Sequence, residues 1–140
     1  MATQRPIPRD LTRGLTDLDE ILAHLDVAIR PDPYVFATVD AAEVTQFPDA
    51  AAMVREDEGL TVVLTADAAR RAGVVTSPEF AWLTLTVESS LEAVGLTAAV
   101  SAALTERNIS CNVLAGYHHD HLLVPFADRD RAVAALRSLR

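Results

Sequence analysis

Three of the four histidines lie in one short segment, Tyr117-His118-His119-Asp120-His121. Imidazole and carboxylate groups are good ligands for zinc or nickel, so this segment is a candidate metal site. On a strand, however, His119 and His121 would share one face while Asp120 points to the other, and no second cluster supplies further ligands. Three interpretations remain open. We favour an exposed polar hairpin turn over ligand contact through Asp120, and both over a metal site.

Gly95 lies near the start of a predicted helix. Ser89 and Glu92 have the spacing of a capping box, in which a hydroxyl and a carboxylate bind the first free amides of a helix. A glycine inside a helix costs about 1 kcal/mol relative to alanine, so its presence indicates that something approaches the backbone closely. Packing of the helix on the sheet is the simpler explanation. A ligand is the alternative, because helix N-terminal amides attract carboxylates.

No catalytic constellation can be assembled from the sequence. Lysine is absent, which excludes a Schiff-base nucleophile, a pyridoxal-phosphate anchor and a P-loop lysine. Ser89 and Ser90 do not lie in a nucleophile-elbow pattern. Cys111 is the single cysteine, so an internal disulfide is excluded, and its strand position predicts a small buried apolar residue. We therefore expect no catalytic residue, no metal and no cofactor.

Length and charge restrict the possible partners. A chain of 140 residues with 50% hydrophobic residues supports one compact domain, or two very small ones that share a core. The formal net charge of −8 argues against binding to nucleic acid or to an anionic membrane. No signal-peptide pattern and no membrane-spanning apolar run occur, so we expect a cytoplasmic protein.

The first half of the chain predicts helix, strand, strand, helix after a flexible tail over residues 1–14. Thr16 is the predicted cap of the first helix, and Pro31 and Pro33 separate that helix from the first strand. The acidic run Glu56-Asp57-Glu58 is predicted to be a solvated hairpin tip rather than a cation site. The remaining elements are strands Tyr34–Val39, Ala52–Glu56 and Leu60–Leu64, and a helix capped by Thr65 and closed by Gly73.

The second half predicts strand, helix, strand, strand, helix, and it lacks a closing strand. The first half lacks an opening strand instead. The simplest arrangement is therefore two incomplete units, each of which supplies the strand that the other lacks, although a partner chain could also supply it. We expect Phe80–Val87 and Ile109–Gly116 to be central neighbours. The other elements are a helix over Leu96–Leu104, a return strand over His121–Pro125 and a last helix capped by Asp128.

The segment Val94-Gly95-Leu96, followed by Val100, Leu104 and Asn108–Asn112, resembles the core motif of ACT domains. The usual motif has Pro-Gly where this chain has Val94-Gly95. The resemblance extends over Trp82–Leu139. This region also resembles small stand-alone ACT-like proteins, which are related to tandem-ACT arginine sensors. It implies an α+β fold of ferredoxin-like ACT topology, with an antiparallel sheet that has helices on one face. The implied organisation is an ACT-like half over residues 15–79 and an ACT domain over residues 80–140.

The resemblance implies a regulatory protein that binds an amino acid or a similar small carboxylate. The ligand carboxylate would lie at the Ser89–Gly95 loop and its amino group at Asp120. The alternative is an interaction module without a ligand, which docks on a partner enzyme. We also expect a homodimer, because the strand face with Phe80 and Trp82 is too apolar to remain open. The candidate ligand-binding residues are Ser89, Ser90, Val94, Gly95, Leu96, Asn112 and Asp120.

Overall fold

The structure is a computed structural model, and it describes residues 17–87 and 93–140. The predicted tail over residues 1–14, the predicted cap Thr16 and the Ser89–Glu92 capping box lie outside these residues. Within them, the chain forms an antiparallel sheet of six strands in the order β2-β3-β1-β4-β6-β5. The elements are α1 (Leu18–Ala23), β1 (Val27–Val39), β2 (Ala52–Glu56), β3 (Gly59–Thr65), α2 (Ala66–Ala72), β4 (Phe80–Leu85), α3 (Leu96–Thr105), β5 (Asn112–Ala115), β6 (Asp120–Pro125) and α4 (Arg129–Arg137).

Strand β1 begins seven residues earlier than Tyr34, where the sequence predicted its start. It runs through Pro31 and Pro33, and its register against β4 shifts between Ile29 and Pro33. Proline cannot donate a hydrogen bond to a neighbouring strand, so it is tolerated where a bulge interrupts the pairing. The irregularity divides β1 into two parts that both pair with β4, and only the second part, from Tyr34, also pairs with β3.

The two central strands β1 and β4 each belong to two units. The C-terminal unit consists of β4, α3, β5, β6 and α4, and its fourth strand is the segment Val27–Ile29, which pairs with Leu83–Leu85. The N-terminal unit begins with Tyr34–Val39, continues through β2, β3 and α2, and takes β4 as its fourth strand. The prediction that two incomplete ACT-like units share a core is confirmed.

The predicted neighbour relation between β4 and β5 is wrong. Strand β6 lies between them, and β5 is an outer strand. Burial explains the order, because Leu122, Leu123 and Val124 of β6 are all buried whereas Asn112 and Val113 of β5 are exposed. The strand that is apolar on both sides takes the central position. At the opposite edge, β2 exposes Met53 and Val54.

The helices lie on one face of the sheet, called here the helix-bearing face, as predicted. Residues Ala81, Leu83 and Leu85 of β4 point to this face and form a core with α1, α3 and α4. Val35 of β1 points the same way and joins a second core with α2. The opposite, helix-free face carries Tyr34, Phe36, Phe80, Trp82, Thr84, Leu114, His121 and Leu123.

Several helix ends follow the predicted chemistry and two differ. The Thr65 hydroxyl caps α2 at 3.2 Å, and Gly73 ends it at φ +68°. The carboxylate of Asp17 caps α1, although the sequence predicted Thr16. Asp128 precedes α4 as predicted, but its carboxylate accepts a hydrogen bond from Arg131 at 2.9 Å and caps no amide.

In the described ranges, no helix is long and apolar enough to cross a bilayer.

Candidate functional site

Gly95 is the residue on which helix α3 begins. It is the N-cap residue at φ +102°, so α3 starts at Leu96, later than the capping box predicted. A Cβ atom added to Gly95 would lie 3.0 Å from Cδ2 of Leu18 in α1. Both the left-handed backbone and this contact favour glycine over other residues. The simpler explanation, close packing, therefore accounts for Gly95, although its neighbour is a helix and not the sheet.

The first turn of α3 has backbone donors without an acceptor among the described residues. The amide of Ala99 donates to the Gly95 carbonyl at 2.9 Å, which is the first hydrogen bond of this helix. The preceding amides, from Leu96 to Ala98, have no acceptor within the helix because of its geometry, and glycine has no side chain to cap them. The side chain of Leu96 is buried in the core, whereas Val94 is 83% exposed.

Asp120 lies at the same end of the sheet as the start of α3. It is the first residue of β6 and pairs with Ala115. Because neighbouring His121 pairs with Thr84 on the helix-free face, Asp120 points to the helix-bearing face. Asn112 differs from the other candidates, since it is exposed, pairs with Leu123 and points to the helix-free face. Ser89 and Ser90 lie outside the described residues.

The histidine-rich segment forms the β5–β6 turn. The amide of Gly116 donates to the His119 carbonyl at 2.9 Å, and Tyr117 is 76% exposed. In the part of the chain that the structure describes, no three histidine, cysteine or acidic side chains are grouped to hold a metal ion. Asp120 and His121 point to opposite faces, as expected from the alternation along a strand.

His121 is not part of the exposed turn but lies against Trp82. The indole N–H of Trp82 donates to His121 Nδ1 at 3.2 Å, and the Thr84 hydroxyl lies 2.9 Å from the same nitrogen. Burial lowers the pKa of His121, and the nearby positive charges of Arg30 and His119 lower it further, whereas Asp120 raises it. The imidazole is therefore held in its neutral form.

Arg30 on β1 completes this cluster, since β1 flanks β4 on the side opposite to β6. Its guanidinium carbon lies 4.1 Å from the Trp82 ring centroid, and its NH1 donates to the Tyr34 hydroxyl at 3.3 Å. Trp82 is only 2% exposed as a result. Side chains of the same chain therefore cover Trp82, while the expected homodimer stays a prediction.

The sequence contained part of the signal for this cluster. Trp82 was predicted on an apolar strand face and His121 on a return strand, so correct pairing of these two strands would have brought Trp82 and His121 together. Arg30 carried no such signal, since the two prolines that follow it indicated a break.

Cys111 is half-buried, and burial raises the pKa of its thiol, which disfavours a reactive thiolate.

Solved structures of other proteins resemble this chain. A Vibrio cholerae protein of unknown function, described as a possible transport protein, is 42% identical over 87% of this chain and 94% of its own, with a TM-score of 0.79. An Agrobacterium tumefaciens protein is 21% identical over 83% of this chain and 89% of its own, with a TM-score of 0.70. The regulatory subunit of aspartate kinase from Thermus flavus shares the fold at 13% identity, over 81% of this chain and 96% of its own, with a TM-score of 0.65.

Comparison with proteins of curated function finds no match. The ACT domain family, however, matches the chain twice, over residues 13–84 and over residues 78–138. The two matches meet at β4, which is the strand that the two structural units share. The chain belongs to the ACT domain family.

Proposed function

We propose that this protein is a cytoplasmic regulatory module that binds an amino acid and has no catalytic activity of its own. The ligand site in this proposal lies at the end of the sheet where α3 begins. The carboxylate of the ligand binds the free amides of Leu96, Thr97 and Ala98, and its ammonium group binds Asp120. We also expect Ser89 and Ser90 to contact the ligand.

The free first turn of α3 is the observation that carries the proposal. Three amides without acceptors in the described part of the chain, together with the positive end of the helix dipole, favour a bound carboxylate. Gly95 contributes by having no side chain over these amides. Asp120 is half-buried at the same end of the sheet and on the same face, where a carboxylate favours an ammonium group.

A solved relative of the same fold supports amino acids as the ligand class. The structure of Escherichia coli aspartokinase III contains aspartate and ADP, and it shares the fold of this chain at 14% identity with a TM-score of 0.60. This likeness concerns the fold alone, so it selects the class of compound to test and not the compound.

A thermal-shift screen of the twenty amino acids tests the proposal. A ligand at about 100 times its Kd stabilises the folded state by about 2.7 kcal/mol, which raises the Tm of a domain of this size by several degrees. We expect one or two amino acids to do so. A flat result across the set would contradict the proposal and favour a module that acts through protein contacts alone.

The role of Asp120 is tested with the compound that the screen identifies. Asp120→Asn keeps the shape of the side chain and removes its charge. We expect affinity to fall about tenfold to a hundredfold, which corresponds to the loss of one hydrogen bond between charged groups. Asp57→Asn, in the exposed hairpin tip, is the matched control and should bind like the parent. Equal binding by Asp120→Asn would remove Asp120 from the site.

A second candidate function is self-association or docking through the helix-free face. Phe36 and Phe80 are half-buried there, with ring centroids 5.5 Å apart, and Val54 and Val75 are exposed beside them. Phe36, Val54 and Val75 line a groove of about 530 Å³. A homodimer that buries this groove gains about 25 cal/mol per Å² of apolar surface. Light scattering that shows a monomer at high micromolar concentration would contradict the dimer.

A further inference from the structure

We propose that the helix-free face is a two-fold interface between two copies of this chain, in which Arg30 of each copy binds Glu56 of the other. The inference rests on the second candidate function and deepens it, because it names the partner, the orientation of the two copies and the residues that pair. It does not depend on the proposed amino-acid site, which lies on the other face of the sheet.

Arg30 provides a positive charge at one end of this face. Its guanidinium is held 4.1 Å from the Trp82 ring centroid, and its NH1 donates to the Tyr34 hydroxyl at 3.3 Å. That hydrogen bond uses one of the five N–H groups of the guanidinium. No carboxylate of the described residues forms an ion pair with it. The charge of Arg30 is therefore fixed in place without a negative partner in its own chain's described part.

Glu56 provides a negative charge at the other end of the face. It alternates in step with Ala52 and Val54 along β2, and Ala52 belongs to the cluster on the helix-free face. The Thr61 hydroxyl donates to the carboxylate of Glu56, which holds the side chain on this face. Across the described ranges, no arginine forms an ion pair with Glu56.

The positions of the two charges determine how the copies meet. Glu56 pairs with Gly59, one position beyond the pair of Leu60 with Val39, and β2 lies two strands away from β1. Arg30 and Glu56 are therefore separated by about 30 Å along the strands and by about 10 Å across them. A two-fold axis that crosses the strands midway brings each charge onto the opposite charge of the other copy, because a two-fold interface is self-complementary.

The net charge of the chain selects this orientation. Two copies that each carry a net charge of −8 repel one another, so contacts between opposite charges have to offset the repulsion. A two-fold axis parallel to the strands would put the Arg30 ends together and the Glu56 ends together. Only the crossing axis, with the strands of the two copies antiparallel, joins opposite ends.

The apolar groove lies between the two charges. The midpoint of the line from Arg30 to Glu56 falls near Phe36, which lines the groove with Val54 and Val75. Val54 is 46% exposed and Val75 is 92% exposed. In the dimer the two grooves meet close to the axis, so these side chains leave water. An apolar centre with charged residues at its rim is the usual composition of a protein interface.

Analytical ultracentrifugation of the full chain measures the Kd of the dimer. We expect a dimer at high micromolar concentration. Arg30→Glu and Glu56→Arg should each raise the Kd by about tenfold or more, because each homodimer then contains two contacts between like charges. A monomeric parent would overturn this inference together with the second candidate function. A parental dimer that both variants leave unchanged would overturn this inference alone.

An equimolar mixture of the two variants tests the pairing itself. In the mixed dimer the two reversed residues face each other, and the two unchanged residues face each other, so both contacts are again attractive. We expect the mixture to dimerise with about the parental affinity, although neither variant does so alone. A mixture of folded variants that remains monomeric would overturn the pairing of Arg30 with Glu56.

Arg55→Glu is the matched control. Arg55 is the neighbour of Glu56 on β2, but it pairs with Leu60 and points to the helix-bearing face, so the Kd should not change. Circular dichroism checks that each variant folds. If Arg30→Glu disturbs the packing on Trp82, the exposed Glu56→Arg decides. Dimerisation of folded Glu56→Arg with the parental Kd would overturn the proposal.

Discussion

His121 shows how one side chain can be fixed by a donor that cannot accept. The indole N–H of Trp82 donates to Nδ1, so a proton added to this nitrogen would break that hydrogen bond, whereas the Thr84 hydroxyl can also accept. Burial and the positive charges of Arg30 and His119 act in the same direction and lower the pKa of the ring. The neutral state of His121 is therefore a property of the folded protein.

This state predicts a pH dependence of stability. Since the pKa of His121 is lower in the folded than in the unfolded chain, the unfolded chain binds more protons once the pH falls below about 6.5. The free energy of unfolding should decrease as the pH falls through this value, until the pKa of the folded state is passed. Denaturant unfolding at a series of pH values measures the effect.

His121→Asn should flatten this dependence, because the group responsible is removed. His24→Asn is the matched control, since His24 is an exposed histidine at the end of α1. An unchanged pH dependence in His121→Asn would show that other groups produce it.

The start of α3 shows that the end of a helix can require glycine at one position. Gly95→Ala places a side chain at φ +102° and 3.0 Å from Leu18, whereas Gly73→Ala at φ +68° meets nothing within 4 Å. We expect Gly73→Ala to cost about 1 kcal/mol and Gly95→Ala to cost more, because conformational strain is joined by a contact with α1. Denaturant unfolding compares the two variants.

Equal losses of stability in the two variants would mean that Leu18 moves aside at no cost. The comparison also matters for the proposed ligand site. A larger substitution such as Gly95→Leu would disturb the packing of α1 on α3, so loss of binding in that variant would not identify the site.

Elements with strong patterns could be predicted from the sequence. Apolar patterns located β2, β3, β4 and β6, and Gly73 marked the end of α2 by its tolerance of positive φ. The first part of β1 could not be found, because Pro31 and Pro33 normally indicate a break. Only the pairing of Val27–Ile29 with β4 shows that the strand continues past them.

The candidate site could be predicted only in outline for the same reason. The Gly95 motif fixes the end of the sheet at which α3 begins, and the alternation along β6 fixes the face of Asp120. Arg30 lies in the part of β1 that the prolines concealed, so its contact with Trp82 needed the strand register. A contact between residues 52 positions apart depends on pairing that local patterns do not determine.

The whole molecule is organised by two strands that both units use. Val27–Ile29 completes the C-terminal unit, and β4 completes the N-terminal unit. Asp26 adds a link between the start of β1 and the end of the chain, through ion pairs with Arg137 at 3.2 Å and Arg140 at 2.9 Å. Separating the units would expose the long sides of both central strands.

We therefore expect that the segments 15–79 and 80–140 do not fold separately, although each was predicted as a unit. Each lacks a central strand, so it cannot close its sheet or cover its core. Circular dichroism of the separate segments should show no cooperative thermal transition, while the intact chain should unfold in one step. Mixing the two segments should restore the transition if the shared strands are responsible. A cooperative transition in either segment alone would contradict this expectation.

The outer position of β2 has a practical consequence for handling the protein. Its exposed Met53 and Val54 lie on a strand edge, where another extended chain can add by backbone hydrogen bonds. At neutral pH the net charge of −8 keeps molecules apart, and Arg55 and Glu56 charge the edge itself. Near the isoelectric point of about 4.8 that repulsion vanishes, so precipitation on acidification should begin at β2. Concentrated stocks therefore keep best well above this pH.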